Sequence, residues 1–298
     1  MAHEHWLVCP THVLWRHGRE RCTGRECVRC QLSYRRPPQI WRYTGRLERQ
    51  LDHVDAFIAV SEFSRQKHKE FGFPRDMEVL NYFLPDPEPG SPKKSAQSPH
   101  ERPYFLFVGR LEEIKGLDDV IPIFAEYEGA DLLIAGDGEY AEQLKTLAAS
   151  DSRVQERVRF LGRVPLDELK RYYEHAVALI VPSVCYETFG IIIIEAFRYS
   201  TPVIARDLGP FPEILARSGG GELFKTTADL LASMKRLESD VELRKRLAAS
   251  GHEAYLQHWV ESSAIPRYLE IVRRTAERTQ HTQVLDAFPK GDVLEHSN

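Results

Sequence analysis

Short apolar runs alternate with longer, more polar stretches over the last two thirds of this 298-residue chain, and this alternation constrains the fold more than any other feature. The apolar runs, which we predict to be strands, are 104–109, 131–136, 157–161, 177–182 and 202–205. The predicted helices are 116–128, 139–150, 166–174 and 227–250. Strands rich in β-branched residues that alternate with helices are typical of a parallel sheet covered by helices. The sequence therefore predicts an α/β fold.

The first hundred residues contain fewer elements. The predicted strands here are 5–9, 55–61 and 77–83. Ser61 is suited to cap a helix that ends near Gly72. The stretch 84–103, rich in Pro, Ser and Lys, is typical of a linker. Farther along the chain, the four isoleucines of 191–194 fit either a strand or a helix, and their pattern alone does not decide between them.

Composition and charge exclude several classes of protein. A net charge of −4 excludes a strongly basic chain that neutralises many phosphates, so we expect no nucleic-acid partner. No apolar run approaches the ~20 residues that span a bilayer, which excludes an integral membrane protein. The first residues show no signal-peptide pattern, and five cysteines are too few for a secreted disulfide scaffold. We therefore expect a cytoplasmic protein.

A glycine and two cations follow the predicted strand at 104–109, in the segment GRLEEIKG that starts at Gly109. A glycine at the end of a strand lets the backbone approach a ligand closely. Arg110 and Lys115 then place a guanidinium and an ammonium at the edge of the sheet where α/β folds bind ligands, and together they suit a diphosphate. The alternative is a turn with two solvated charges, and this segment alone favours the alternative.

Two carboxylates eight residues apart, Glu187 and Glu195, flank the run of isoleucines. If Gly190 opens a helix, Glu195 lies about one turn inside it and Glu187 lies in the preceding loop. The free N–H groups of 188–191 would then form an anion site for a phosphate. A glutamate among isoleucines is costly to bury unless it is paired, and ligand hydroxyls would supply the partner. The alternative is a glutamate at the helix edge that reaches solvent.

Taken together, the two segments resemble the retaining glycosyltransferases of family 4 (GT4), which have the GT-B fold. The Gly-Arg-x4-Lys-Gly element of that family is similar to GRLEEIKG here, and its Glu-x7-Glu element is similar to Glu187 and Glu195. The family resemblance extends to AGDGEYAEQL at 135–144, FLGRV at 160–164, TPVIARDLGP at 201–210 and DAFIAVSEFS at 55–64. It covers roughly residues 3–260 in consistent order.

The resemblance implies two Rossmann-like parallel-sheet domains. It implies an acceptor-side domain over 1–84, a linker over 85–100, a nucleotide-sugar donor domain over 101–258, a helix over 259–279 that packs back toward the N-terminal domain, and a flexible tail over 280–298. Family members normally have several βα units before their acceptor-side His-Asp pair, which here corresponds to His3 and Glu4. We therefore expect the N-terminal domain to be truncated.

The resemblance also implies individual roles. Arg110 and Lys115 would hold the donor diphosphate and stabilise the leaving group. Glu187 would face the hydroxyls of the transferred sugar, and His3 would be the acceptor-side histidine, with His5 as a second candidate. The implied catalytic residues are thus Arg110, Lys115, Glu187 and His3. The implied donor-binding residues are Gly109, Arg110, Lys115, Arg163, Val164, Glu187, Thr188, Phe189, Gly190, Ile191 and Glu195.

The implied reaction is transfer of a sugar, with retention, from a UDP- or GDP-linked donor to a carbohydrate or lipid-linked acceptor. The sequence has no Asp-x-Asp triplet, and two cations would take the place of a metal, so no cofactor is expected. An alternative of a different class is a catalytically silent module that binds nucleotide sugars. A sugar-nucleotide epimerase of similar fold is a third alternative.

Two features of the first fifty residues lie outside the resemblance. Cys9, Cys22, Cys27 and Cys30 have the spacing C-x12-C-x4-C-x2-C, which leaves a zinc site, reduced thiols and disulfides all open. Ten arginines and three acids lie within 16–49. This segment either contacts anionic lipid at the inner membrane face, binds an acidic acceptor or is a solvated basic face.

Overall fold

The computed structural model describes residues 1–88 and 97–288. Its strands are β1 (Trp15–Arg16), β2 (Glu20–Arg21), β3 (Ile58–Ala59), β4 (Glu78–Val79), β5 (Tyr104–Val108), β6 (Asp131–Ala135), β7 (Val158–Gly162), β8 (Leu179–Val181), β9 (Val203–Arg206) and β10 (Gly221–Phe224). Its helices are α1 (Cys27–Ser33), α2 (Arg46–Leu51), α3 (Glu62–Glu70), α4 (Ala141–Ala149), α5 (Ser152–Arg157), α6 (Leu166–His175), α7 (Ile191–Arg198), α8 (Phe211–Ser218), α9 (Thr227–Ser239), α10 (Val241–His258), α11 (Glu261–Thr279) and α12 (Thr282–Leu285). Shorter 3-10 turns are His5–Leu7, Ile40–Tyr43, Glu113–Lys115, Leu117–Asp119 and Ile121–Ala125. No helix in these ranges is both long and apolar enough to cross a membrane.

A parallel sheet forms the centre of the C-terminal part, and within the described residues it has six strands in the order β10-β9-β8-β5-β6-β7. β5 pairs with β6 along its whole length and with β8 where Leu106 lies opposite Leu179. The chain therefore winds in one direction from β5 to β7 and in the other from β8 to β10. In such doubly wound sheets, ligands bind beyond the carboxyl ends of the strands where the winding reverses. The predicted α/β fold is confirmed, and the reversal lies between β5 and β8.

Two apolar clusters cover the faces of this sheet. Side chains alternate along a strand, so Phe105 and Phe107 of β5 join one cluster while Tyr104 and Leu106 join the other. All four side chains are at most 2% exposed. Burial of one such side chain contributes roughly 1.5–3 kcal/mol. Because β5 is buried on both faces, the loop that follows it starts from a rigid strand.

The N-terminal part, residues 1–84, contains much less sheet. β3 and β4 form a two-stranded parallel sheet, and Ala2 adds a parallel bridge to Ala59 on the other side of β3. β1 and β2 form a short antiparallel hairpin. The apolar cluster of this part is correspondingly small and consists of Val8, Leu51, Ala59, Phe73 and Met77.

The chain crosses between the two parts at two adjacent places. The outgoing segment at Leu84 forms a parallel bridge with the returning segment at Val260. The Leu84 N–H donates to the carbonyl of Trp259 at 2.9 Å. α11 begins immediately afterwards and lies against the N-terminal part, where Ile271 packs with Ile58 of β3.

Two predicted elements are wrong, each for a local reason. The strand predicted at 5–9 is a 3-10 turn, because the Val8 N–H bonds back to the His5 carbonyl at 3.0 Å. The helix predicted at 116–128 is a pair of 3-10 turns. Pro122 has no N–H to bond to the Asp118 carbonyl, as a continuous helix would require at that position, and its ring disfavours the helical conformation of the preceding turn.

Other elements differ from the prediction in extent. The helix predicted at 227–250 is two helices, α9 and α10, which meet at Asp240, whose side chain accepts from the Leu243 N–H. The strands predicted at 55–61 and 77–83 are each only two residues long. The four isoleucines are helical and begin α7, and α5, α8 and β10 were not predicted.

Two segments expected from the sequence extend beyond the described residues. The expected linker, 85–100, includes residues 89–96, which lie outside them. The expected tail, 280–298, begins with the short helix α12, and its residues 289–298 also lie outside.

Candidate functional site

The loops that follow β5 and β8 meet at the point where the sheet reverses its winding. We call residues 109–116 the β5 loop and residues 182–190 the β8 loop. The Val184 N–H of the β8 loop donates to the Ile114 carbonyl of the β5 loop at 2.9 Å. The two motifs that the sequence singles out are therefore neighbours in space, at the edge of the sheet where this class of fold binds ligands.

A cleft of about 590 Å³ lies beyond the carboxyl ends of β5, β6 and β7. Four of the predicted donor-binding residues line it, namely Gly109, Arg110, Arg163 and Val164. Beside it the main chains of Gly136 and Gly109 lie close together, because a Cβ atom on Gly136 would lie 1.8 Å from the Gly109 carbonyl oxygen. Glycine at position 136 therefore permits this close approach at the ends of β5 and β6.

The two arginines of this cleft are exposed. The Arg110 side chain is 76% exposed and lies 2.9 Å from the carboxylate of Glu112. The Arg163 side chain is 87% exposed, and its Nε lies 3.9 Å from the carboxylate of Asp137. Exposed pairs of this kind contribute little to stability. Both guanidinium groups are therefore free to turn toward an anionic ligand.

Lys115 and Glu187 form an ion pair across the two loops. Lys115 Nζ donates to Glu187 Oε1 at 2.6 Å, and the hydroxyl of Ser183 donates to the same oxygen at 3.0 Å. Both side chains are about one-fifth exposed. Burial works against the charge on Lys115, but the attraction and the hydrogen bond of Glu187 outweigh it and raise the pKa of Lys115. In the free protein, the ammonium group of Lys115 and the carboxylate of Glu187 thus neutralise each other.

Glu195 lies in the second turn of α7 and has a protein partner that sequence reasoning missed. The hydroxyl of Tyr173 donates to Glu195 Oε2 at 2.9 Å, and Tyr173 is 1% exposed. Burial raises the pKa of Glu195, against the hydrogen bond from Tyr173. No sequence motif connects Tyr173 to Glu195, since they lie 22 residues apart on different helices.

Gly190 sets the start of α7. It has φ of 107°, in the left-handed region, and a Cβ atom there would lie 2.8 Å from the ring of Phe211. Only glycine fits this position without strain. The helix that follows exposes its first residue, Ile191, and presents the free N–H groups of its first turn at the end of the β8 loop.

The β8 loop also contacts the N-terminal part, and His3 lies at this junction. The Thr188 hydroxyl donates to the His3 carbonyl at 2.9 Å. His3 Nδ1 lies 2.6 Å from the hydroxyl of Tyr82, whose ring packs edge-on against the buried Phe189. The structure thus brings His3 next to the loop that carries Glu187.

His5, the second histidine candidate, is not at the surface. It is fully buried, and burial together with the neighbouring His68 lowers its pKa to about 3. Neither ring nitrogen of His5 has a hydrogen-bond partner among the described residues. A substrate in the cleft has no access to it.

The four N-terminal cysteines come into one region as free thiols. Burial raises the pKa values of Cys22 and Cys27, and the proximity of the other cysteines, Cys9 and Cys30 among them, adds to the effect. No group of three or more His, Cys, Asp or Glu side chains in residues 1–88 and 97–288 is arranged to hold a metal ion.

The arginine-rich segment has an exposed surface with apolar side chains among the charges. Leu32, Ile40 and Tyr43 are 58%, 66% and 61% exposed. Arg42 differs from its neighbours, because its guanidinium lies 4.8 Å from the ring centroids of both Trp6 and Trp41. This arginine stabilises the segment itself, whereas the exposed groups face solvent.

Comparison with known proteins gives a consistent set of relatives. The sequence profile of the glycosyl transferases group 1 family matches residues 91–254. A phosphatidyl-myo-inositol mannosyltransferase of Mycobacterium leprae is 32% identical over 235 residues, which are 75% of this chain and 61% of that protein. A GDP-mannose-dependent alpha-(1-6)-phosphatidylinositol monomannoside mannosyltransferase of Mycobacterium tuberculosis is 30% identical over 229 residues, 70% of this chain and 59% of that protein.

Solved structures share the fold. Sucrose-phosphate synthase from Thermosynechococcus elongatus superposes with a TM-score of 0.69 at 20% identity, over 83% of this chain and 66% of that one. The Anabaena protein HepE in complex with UDP superposes with a TM-score of 0.64 at 19% identity, over 74% of this chain and 64% of that one. The chain thus spans less than two thirds of the length of these relatives.

Proposed function

Because the chain belongs to the glycosyl transferases group 1 family, we propose that it transfers a sugar from a nucleotide-diphosphate donor to a carbohydrate or lipid-linked acceptor. Its structural neighbours are glycosyltransferases of the GT-B fold, and its sheet has the doubly wound order that this fold requires. The observation that carries the proposal is the meeting of the β5 and β8 loops at the reversal of the sheet, with Lys115 of one loop bonded to Glu187 of the other.

The cleft above β5, β6 and β7 is the proposed donor site. Its volume of about 590 Å³ is within the usual range for a small-molecule pocket. Arg110 lines this cleft, and Lys115 of the β5 loop, which does not line it, would turn toward it to supply the second cation for a diphosphate. Main chain near Arg163 and Val164 borders the place proposed for the base. UDP is bound in the Anabaena neighbour and GDP-mannose is the donor in the name of the mycobacterial relative, so we propose a UDP- or GDP-linked sugar.

In the proposed reaction, donor binding breaks the ion pair between Lys115 and Glu187. Lys115 turns to the diphosphate, and Glu187 becomes free to accept hydrogen bonds from the hydroxyls of the sugar. The bond from the sugar C1 to the phosphate oxygen breaks as an acceptor hydroxyl bonds to C1 on the same face. The acceptor proton passes to the leaving phosphate oxygen, whose charge Arg110 and Lys115 stabilise. The two cations supply the positive charge that a metal would otherwise provide.

We propose that residues 101–258 are the donor domain and that the N-terminal part, residues 1–84, is the acceptor side. His3 is the proposed acceptor-side histidine, since it is exposed and its carbonyl accepts from Thr188 of the β8 loop. Among the described residues, the parallel sheet of the N-terminal part consists of β3, β4 and the bridge at Ala2, against six strands in the sheet of the C-terminal part. This imbalance is what favours the second candidate function, a module that binds nucleotide sugars without turnover.

Calorimetry with UDP and GDP tests the donor site. Arg110→Ala removes one proposed phosphate contact and should weaken binding about tenfold, the size of one charge-assisted hydrogen bond. Arg153→Ala is the matched control, because Arg153 is also an exposed arginine paired with a neighbouring carboxylate. Equal affinities for the wild type and Arg110→Ala would refute the site. Binding without release of sugar from UDP-glucose or GDP-mannose, with or without acceptor sugars, would favour the silent module.

We also propose that the exposed surface of Leu32, Ile40 and Tyr43 contacts anionic membrane. Each arginine near such a surface adds about 1 kcal/mol of attraction, and the apolar side chains enter the interface. The double variant L32S/I40S should reduce sedimentation with phosphatidylglycerol vesicles. Leu166→Ser, at a side chain that is 79% exposed elsewhere, is the control. Equal sedimentation of all three proteins, or equal binding to neutral phosphatidylcholine vesicles, would rule this contact out.

A further inference from the structure

We infer that Glu213 is a positioning residue for sugar transfer, which holds the β8 loop in register with the N-terminal part. This inference rests on the proposed function. Glu213 lies in α8 of the C-terminal part, and both of its carboxylate oxygens accept from backbone N–H groups of α3 in the N-terminal part. Oε1 accepts from Glu62 at 3.2 Å, and Oε2 accepts from Phe63 at 2.9 Å.

The α3 helix depends on this contact for the bonds of its first turn. The first N–H groups of a helix have no partner within the helix and are usually satisfied by side chains nearby in sequence. Here Ser61 accepts from the Ser64 N–H at 2.9 Å, but Glu62 and Phe63 find their acceptor on the other part of the molecule, 150 residues away in sequence. A negative charge at this end of a helix also interacts favourably with its dipole. The cap of α3 is therefore shared between the two parts.

Ser61 connects the same helix start to the β8 loop. Its hydroxyl donates to the Thr188 carbonyl at 2.6 Å, and Ser61 is fully buried. Thr188 follows Glu187 directly in sequence. The main chain beside Glu187 is thus bonded to the start of α3 through Ser61, and the start of α3 is in turn bonded to α8 through Glu213.

A second contact from α8 strengthens this arrangement one turn further along the helix. Arg217 donates to the side-chain oxygen of Asn81 at 3.0 Å, and Asn81 in turn donates to the Val60 carbonyl at 2.9 Å. Residues 60–63 are therefore held from α8 on both sides of the turn between β3 and α3. We call Glu213, Ser61 and Arg217 with these partners the interpart clamp.

The clamp places Glu213 outside the proposed donor site. Glu213 is not among the residues that line the cleft beyond β5, β6 and β7, and its acceptor atoms are occupied by backbone N–H groups. Loss of the clamp should leave nucleotide binding intact, because the proposed donor contacts are all within the C-terminal part. It should lower turnover, because the β8 loop would no longer be fixed against the acceptor side.

The test compares Glu213→Gln with Glu222→Gln. Glu222 is a matched control, since its carboxylate also makes two hydrogen bonds, but to Arg236 within the C-terminal part. In Glu213→Gln we expect hydrogen exchange to accelerate about tenfold in peptides that span residues 58–68, since one charge-assisted bond is lost. The dissociation constants for UDP and GDP should stay within about twofold, while kcat for release of sugar from UDP-glucose or GDP-mannose falls about tenfold and KM for the donor is unchanged.

The outcomes distinguish a failure of the positioning role of Glu213 from a failure of the proposed function. Faster exchange with an unchanged kcat would overturn the positioning role, and equal losses of nucleotide affinity, kcat and melting temperature would reduce Glu213 to a stability residue. If Glu213→Gln does not fold, Arg217→Gln is the second variant. Arg217 is exposed, and its replacement should also lower kcat without loss of UDP binding.

A wild type that binds UDP but never releases sugar would contradict the proposed function. Exchange at residues 58–68 would then decide the clamp alone, because unchanged protection in Glu213→Gln would refute it.

Discussion

The ion pair between Lys115 and Glu187 leads to a prediction about nucleotide affinity. Substitution of a residue that simply binds the nucleotide weakens binding, whereas substitution of Glu187 should strengthen it. If the diphosphate competes with Glu187 for Lys115, then Glu187→Gln removes the competitor and should tighten nucleotide binding. The two charged atoms lie 2.6 Å apart, and at an effective dielectric constant of ~20 their attraction is about 6 kcal/mol. Both side chains are about one-fifth exposed, and the cost of removing them from water offsets most of this attraction.

We therefore expect a net effect of about 1–2 kcal/mol, which corresponds to roughly 5–30-fold tighter binding of UDP or GDP. Turnover should fall in the same variant, because the neutral amide of glutamine accepts from the hydroxyls of the proposed sugar substrate more weakly than a carboxylate does. Calorimetry with UDP and GDP measures the affinity, and Glu142→Gln is the control, since Glu142 pairs with Lys145 outside the cleft. Unchanged or weaker nucleotide binding in Glu187→Gln would refute the competition.

The pH dependence of the same variant provides an independent check. In the wild type, Glu187 raises the pKa of Lys115 above its ordinary value, so the ammonium persists to high pH. In Glu187→Gln both contributions of Glu187 are lost, so burial, the largest influence on Lys115, lowers its pKa against the smaller opposing effects of Cys185 and Glu112. UDP affinity measured between about pH 7 and about pH 10 should therefore decline at lower pH in the variant than in the wild type. Parallel pH profiles would show that Lys115 does not bind the diphosphate.

Two further predictions concern stability. Gly190→Ala should destabilise the protein by roughly 2–4 kcal/mol in urea unfolding, because a Cβ atom would lie 2.8 Å from the ring of Phe211 at a positive φ; a change below about 0.5 kcal/mol would contradict the geometry. Tyr173→Phe should cost roughly 1–2 kcal/mol, since it leaves Glu195 without its donor. Burial already raises the pKa of Glu195, so the contribution of this carboxyl group to stability falls as pH rises through that pKa. The loss in Tyr173→Phe should therefore be larger at about pH 8 than at about pH 5, and an equal loss at both would exclude this cause.

The sequence predicted the central sheet well because its strands are buried on both faces. A strand such as β5, with both faces in apolar clusters, must be apolar along its whole length, and such a run is visible without any partner. The prediction failed at 116–128, where apolar residues recur but Pro122 removes a helical hydrogen bond. It failed again at 5–9, where a local turn at His5 satisfies the backbone instead of a neighbouring strand.

The candidate site could be predicted only in part. Short-range motifs located the β5 and β8 loops, because the residues of each loop are close in sequence. The partners that complete the site come from elsewhere: Tyr173 bonds to Glu195, and Glu213 caps α3 from 150 residues away. Such contacts depend on how helices and parts pack, and one sequence contains no periodic or spacing signal for them. Ser61 was predicted in part: its role as the N-cap of α3 follows from the sequence, but its hydrogen bond to the Thr188 carbonyl does not.

The paired crossings at Leu84 and Val260 have a mechanical consequence. The two chain segments run side by side and share the hydrogen bond between Leu84 and Trp259. A motion of one part against the other that preserves this bond is therefore restricted mainly to rotation about the line of the two segments. α11 follows Val260 and contacts the N-terminal part, so it travels with that part when the angle changes. Rotation about this line would have to break the bond from Thr188 to the His3 carbonyl and the bonds of the interpart clamp, so these contacts hold the two parts at the angle of the structure.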